Sequence, residues 1–74
     1  MLYNTMRRFT AYIEKDHETG LYIGVIPQIS GAHTQAETLD ELKENLHEVL
    51  ILCLEEIDEI EIPEFIGIET IEVS

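Results

Sequence analysis

Three carboxylates lie within residues 14–18, and carboxylates are what a metal-dependent nuclease would use. Two cations that flank a scissile phosphate need several carboxylates converging from different elements. Glu14, Asp16 and Glu18 instead follow one another at the end of a predicted strand and in its turn, where solvated charges normally lie. A nuclease is therefore the least favoured hypothesis, and no catalytic residue is predicted.

The histidines and the single cysteine fall on separate predicted elements. His17 lies in a turn, His33 on a strand and His47 on a helix, and no His/Cys spacing suggests zinc. Cys53 falls on the apolar stripe of the helix, where a buried small side chain is expected. Neither a metal nor a cofactor is predicted. One cysteine permits no intramolecular disulfide, and no apolar run reaches membrane-span length, so we expect a cytoplasmic protein.

The charge is strongly negative. Sixteen acids face four bases, for a formal net charge of −12. Thirteen of the acids lie from Glu37 onward, with Lys43 as the one base among them. Such a surface repels phosphate backbones and anionic lipids and attracts basic proteins. We therefore expect no direct nucleic-acid or membrane binding and favour a protein partner. Solubility alone is the alternative explanation of the charge.

Alternating apolar and polar residues predict a hairpin in the first third of the chain. Residues 7–15 alternate with period two, and 21–26 form a second, more apolar strand. The polar stretch 16–20 is a turn between them. Pro27 ends the second strand, because proline lacks a ladder N–H, and a further turn follows at Gly31.

A short third strand is predicted around 32–36, before a long helix. Thr38 opens the helix, and Thr38 with Glu41 fits a capping box, in which each side chain satisfies a free backbone N–H. The helix should run to about Ile57 or Glu59. Its apolar stripe consists of Leu39, Leu42, Leu46, Val49, Leu50, Cys53 and Ile57.

The tail 65–73 reads as a fourth strand, bulged at Gly67. The whole chain, 1–74, is predicted to be a single α+β domain in the order β-β-β-α-β. It would have a three-stranded antiparallel sheet, one long helix packed on one face and a C-terminal strand.

Two surfaces are candidates for protein binding. Ile51 and Leu52 point away from the helix stripe, so either the acidic segment 58–64 or another subunit should cover them. We favour a homo-oligomer. The acids of the outer helix face could also be an ordinary solvated face, and the apolar second sheet face could serve homodimerisation. The candidate partner-binding residues are Tyr12, Tyr22 and Ile26 on the sheet and Asp40, Glu41, Glu44, Glu48, Ile51, Leu52 and Glu55 on the helix.

The order of these pieces resembles the HicB family of antitoxins. The first matching pieces are two strands: an aromatic-led strand at 9–16 that ends in acid-Lys-Asp, and a tyrosine–aliphatic strand at 22–27. A Pro-x-Ile-x-Gly turn follows at 27–31. A threonine-containing strand at 33–38 and a helix that begins with Thr-Leu-Asp-Glu at 38–41 complete the match. Together they cover most of residues 7–57. Gln28 stands where an acid is common and Ala36 where glycine is common.

The resemblance implies a partial RNase H-like fold and a partner. That partner is HicA, a small basic toxin that cleaves mRNA and that the antitoxin masks. Many family members also carry a C-terminal DNA-binding domain, which has no counterpart after Ile57 here. The leading hypothesis is thus a non-catalytic antitoxin. The alternative is a stand-alone HicB-like oligomer with an unrelated partner or ligand.

Overall fold

The computed structural model describes residues 7–58 and 61–74. Three strands, β1 (Tyr12–Lys15), β2 (Tyr22–Val25) and β3 (His33–Ala36), precede one helix, α1 (Leu39–Leu54). The strands form an antiparallel sheet in the order β1-β2-β3. These elements confirm the predicted α+β class, the three-stranded sheet and the helix.

Two tight turns set the register of the sheet. Gly20 and Gly31 both have positive φ values, 76° and 84°, which glycine adopts without strain. In the second turn the Ile26 N–H donates to the Ala32 carbonyl at 2.8 Å, and Pro27 follows Ile26 directly. Because the chain turns away at Pro27, β2 offers no pairing partner beyond Val25. β1 therefore begins at its partner Tyr12 and not at residue 7 as predicted.

α1 packs on β2 and β3 through a close contact. A Cβ atom on Gly24 would lie 2.9 Å from Leu46 Cδ1, so the absence of a side chain at Gly24 lets the helix approach the sheet. Leu42, one helical turn earlier, is fully buried. Around these residues the core consists of Ile26, Ile29, Ala32, Ala36, Leu42 and Leu46.

The N-terminus of α1 is capped by side chains of its own first residues. Thr38 Oγ1 accepts the Glu41 backbone N–H at 3.1 Å, as in a capping box. The Glu41 carboxylate accepts the backbone N–H of Glu37, one residue earlier than such a box requires.

No helix within the described residues has the length and apolar character needed to cross a lipid bilayer.

The helix ends at Leu54, before the predicted end at Ile57. The last turn carries no basic residue, and Glu55 and Glu56 follow it directly. Carboxylates at a helix C-terminus face the negative end of the helix dipole, which disfavours a further turn. The other predicted end, Glu59, lies outside the described residues.

The predicted fourth strand over 65–73 is not present, since residues 63–74 have no regular secondary structure. No backbone hydrogen bond between described residues joins 62–74 to the sheet. A strand exists only where a second backbone satisfies its N–H and C=O groups. The strand-like composition of this segment therefore has no partner within the described part of the chain.

The contact between Gly24 and Leu46 predicts a coupled mutational effect. Gly24→Val should destabilise the fold by about 1–3 kcal/mol, because the added methyl groups occupy the space of Leu46. In the Gly24→Val/Leu46→Ala double variant, the loss should be smaller than the sum of the two single losses. Urea unfolding at one fixed protein concentration measures all three. Strict additivity would show that the two side chains do not compete for this space.

Candidate protein-binding surfaces

The strand register defines the two faces of the sheet. Directly paired residues share a face, so Ile13 and Thr34 lie on the same side as their partner Gly24, which faces Leu46 of α1. The neighbouring row, in which Val25 pairs with Tyr12 and His33, lies on the opposite side. That second side is the open face of the sheet.

The three sheet residues predicted to bind a partner do not share a face. Tyr12 lies on the open face and is exposed. Ile26 is a buried core residue, and Tyr22 packs against the core on the helix side. Lys15 Nζ also lies 5.3 Å from the centroid of the Tyr22 ring. The prediction that Tyr12, Tyr22 and Ile26 share one exposed face of the sheet is therefore wrong. Of these three residues, Tyr12 alone is available on the open face.

Three of the helix residues predicted to bind a partner, Glu48, Ile51 and Leu52, lie together on the outer side of α1. Ile51 and Leu52 are 46% and 61% exposed. With Glu48, one turn earlier, they line a shallow depression on the outer side of α1. The described residues of the segment 58–64 leave this pair uncovered, and Ile62 packs against the core instead. We call Ile51 and Leu52 the apolar pair.

Carboxylates surround the apolar pair on the outer helix face. Glu44, Glu48 and Glu55 are exposed. They lie seven residues before, three residues before and four residues after Ile51, which places them on the same side of the helix. Lys43 and His47 line a neighbouring shallow depression with Glu44 and Glu48. Asp40 and Glu41 lie in the first turn, where the Glu41 carboxylate is engaged in the cap. Glu44, Glu48 and Glu55 thus lie in one line with Ile51.

The Asp16 carboxylate, in the turn between β1 and β2, has a structural role. Asp16 Oδ1 accepts the Glu18 backbone N–H at 3.1 Å, and Asp16 Oδ2 accepts the Thr19 hydroxyl at 2.9 Å. The Asp16 backbone also pairs with Leu21 and Gly20. Within the described ranges no group of three or more His, Cys, Asp or Glu side chains could hold a metal ion.

Gln28 has a role that the sequence did not reveal. Its Nε2 donates to the Pro63 carbonyl at 3.1 Å, and its Oε1 accepts the Thr10 backbone N–H at 3.5 Å. Gln28, in the turn after β2, thus links Thr10, which lies just before β1, to Pro63 in the C-terminal segment. The HicB resemblance indicates only that an acid is common at this position, and an ionised carboxylate could not donate to a carbonyl.

The comparisons with known proteins establish the family. A UPF0150 protein of Thermotoga maritima is 48% identical over 71 residues, which is 95% of each chain. The chain belongs to the UPF0150 family. Relatives with the same family name in Synechocystis sp. (48% identity, 90% of this chain and 96% of that one) and Archaeoglobus fulgidus (46%, 89% and 94%) agree with this assignment. No protein-family model and no solved structure matches the chain.

The names of these UPF0150 relatives specify no activity, substrate or partner. None of the three carries the HicB name, so the resemblance to HicB antitoxins remains a prediction for this UPF0150 protein. The alignments nevertheless cover 89–95% of this chain and 94–96% of each relative.

The exposure of the apolar pair predicts that it contributes little to folding. The Ile51→Ala/Leu52→Ala variant should unfold within about 0.5 kcal/mol of the unaltered UPF0150 protein, because surface substitutions rarely cost more. Leu42→Ala, which empties a fully buried site, should cost about 2–5 kcal/mol. Urea unfolding with circular dichroism compares the two. An equal cost at both sites would mean that the apolar pair belongs to the core.

Proposed function

We propose that this UPF0150 protein is a non-catalytic cytoplasmic antitoxin that occludes a small basic ribonuclease of the HicA type. Two independent features support the proposal. One is the resemblance of residues 7–57 to the HicB pattern. The other, which carries the argument, is the exposed apolar pair beside a line of carboxylates on the outer face of α1.

The apolar pair has the composition of the centre of a protein interface. Such interfaces have an apolar core that is fully desolvated on binding and a polar rim that excludes water from it. Burying the exposed part of Ile51 and of Leu52 would contribute about 1–1.5 kcal/mol each. Glu44, Glu48 and Glu55 supply the rim. The surface therefore fits a partner that presents apolar side chains flanked by Lys or Arg.

The rim also explains why the partner should be basic. Each exposed ion pair adds only about 0.2–1 kcal/mol, but complementary charge raises the rate of encounter and disfavours partners of like charge. The protein as a whole, with its formal net charge of −12, extends this field well beyond the contact surface. Association should consequently be fast at low salt and weaker at high salt.

Competition with RNA follows from the same electrostatics. A ribonuclease holds the phosphate backbone with Lys and Arg side chains. Carboxylates at regular helical spacing along α1 can pair with those cations and occupy the surface that RNA needs. Masking of the toxin then requires no reactive group in the antitoxin, only a stable covering surface.

Self-association through this face is unfavourable. A two-fold dimer contact places the same surface of each copy against itself. Here it would bring Glu44, Glu48 and Glu55 of one copy close to the same carboxylates of the other, and like charges across an interface are costly. A basic partner removes this repulsion, whereas a second copy doubles it.

The proposal predicts a specific loss of affinity. We expect a HicA-like protein to be encoded beside this chain, and its binding should weaken about 30-fold in Ile51→Ala/Leu52→Ala, because truncation at an interface centre typically costs about 2 kcal/mol. Calorimetry at two salt concentrations provides the dissociation constant and its salt dependence. Growth of cells that express the toxin should be rescued by the unaltered protein and not by this variant.

The control is a charge change on a different surface. Glu14→Gln, on the open sheet face, should bind the toxin with unchanged affinity, whereas Glu48→Gln should weaken binding and reduce its salt dependence. Absence of any complex with the neighbouring basic protein, together with unrescued growth, would contradict the antitoxin function. It would favour the stand-alone HicB-like protein with an unrelated partner.

A further inference from the structure

The C-terminal segment 64–74, here called the arm, presents apolar side chains to solvent. Ile66, Ile68, Ile71 and Val73 are 76–89% exposed. These residues, with Thr70, are β-branched, which favours extended strands. The arm has no regular secondary structure and makes no backbone hydrogen bond to the sheet among the described residues. An apolar, strand-forming segment without a paired backbone is suited to the edge of another sheet.

Among the described residues, the β1 edge of the sheet is more exposed than the β3 edge. At the β3 edge, the Asn45 amide donates to the Gln35 carbonyl at 3.4 Å, and α1 packs on β3. At the other edge, all four residues of β1 (Tyr12–Lys15) are exposed, and β1 pairs with β2 alone within the described residues. A strand could add along β1 beyond its first residue, beside which the same chain's residues 65–68 already lie.

Charge complementarity matches the arm to the β1 edge. Three of the four bases of this acidic chain, Arg7, Arg8 and Lys15, lie in or just before β1, and Glu14 is the one acid among residues 7–15, so this segment has a formal charge of +2. The arm contains Glu64, Glu69 and Glu72 and no base. Opposite charges on neighbouring strands stabilise the pairing. The one other base, Lys43, lies on α1 among carboxylates.

The path of the arm in its own chain leaves the outer edge of β1 without a paired strand among the described residues. Gln28 Nε2 holds the Pro63 carbonyl at 3.1 Å, which fixes where the arm begins. Phe65, Gly67 and Ile68 then line an apolar cavity of about 270 Å³ together with residues 10–12. The arm therefore lies beside its own chain just before β1 and at the first residue of β1. All residues from 69 to 74 are exposed. Within its own chain the arm forms no strand against β1.

We propose that two copies of this chain exchange arms, each arm adding a strand to the β1 edge of the other copy. The contact is two-fold symmetric, and each copy supplies one arm and one edge. It buries the exposed isoleucines of both arms and pairs the bases of each β1 with the acids of the partner arm. The outer face of α1 stays free, so the proposal does not depend on the function proposed above.

The decisive experiment is the solution mass of the full chain by sedimentation equilibrium. We expect a dimer that becomes a monomer when the chain ends at Pro63. Replacing Ile66, Ile68, Ile71 and Val73 together by threonine should do the same while preserving β-branched side chains. Circular dichroism shows whether each variant is folded. The matched control Ile51→Ala/Leu52→Ala, on the outer face of α1, should remain a dimer.

A charge exchange tests the edge itself. Lys15→Glu should raise the dimer dissociation constant by about 3- to 10-fold, since it replaces an attraction with a repulsion. Adding Glu69→Lys and Glu72→Lys to that variant should restore the affinity, and Lys43→Glu should have no effect. A monomeric full chain, or a folded truncated chain that remains dimeric, would overturn the arm exchange. Failure of the charge exchange to restore dimerisation would overturn the assignment to β1.

Discussion

The close approach of α1 to the sheet at Gly24 is the constraint on which the rest of the structure depends. Leu46 occupies the space that a side chain at Gly24 would fill. This contact seats Leu42 and Leu46 deep against the turn residues Ile26 and Ile29, where the core is formed. Since α1 is drawn toward the middle strand and β3, it leaves β1 at the margin of the core with all four residues exposed.

A core this small cannot cover every apolar side chain of the chain. A domain of about 74 residues buries only about 60–65% of the surface of its unfolded chain. Tyr12, Ile13, Val25 and Leu39 remain exposed on the sheet and at the start of α1. The other exposed large apolar side chains lie in two groups, the apolar pair on α1 and a run in the arm. Both arrangements are suited to binding other polypeptides, and they differ in the charge of the partner that they favour.

The sequence predicted those features that depend on local periodicity. Alternation identified the hairpin, and the threonine before the Leu-Asp-Glu sequence located the start of α1. The face of β2 that the helix covers was harder to predict, because β2 is apolar on both faces. Gly24 carries that information: a glycine opposite a leucine-rich helix marks the face of close approach. Tyr22 and Ile26 were therefore assigned to a binding surface although they belong to the helix side.

The remaining differences have causes that local patterns do not contain. The stripe on α1 continues to Ile57, but the helix ends at Leu54 because acids accumulate at its C-terminus. The arm has the composition of a strand and lacks a backbone partner within the described chain. Alternation indicates only that a segment can form a strand. Whether it does depends on an available edge, and sequence analysis of one chain does not say where that edge lies.

The distribution of charge reconciles self-association with binding of a basic protein. A chain with a net charge of −12 repels copies of itself over most of its surface. Contact between copies is favourable only where bases occur, and these are concentrated at the start of the sheet, beside β1. The acids of α1 lie on a different element from those bases. Pairing through β1 would thus neutralise the few positive charges and leave two strongly acidic helix faces on one particle, each able to attract a basic partner.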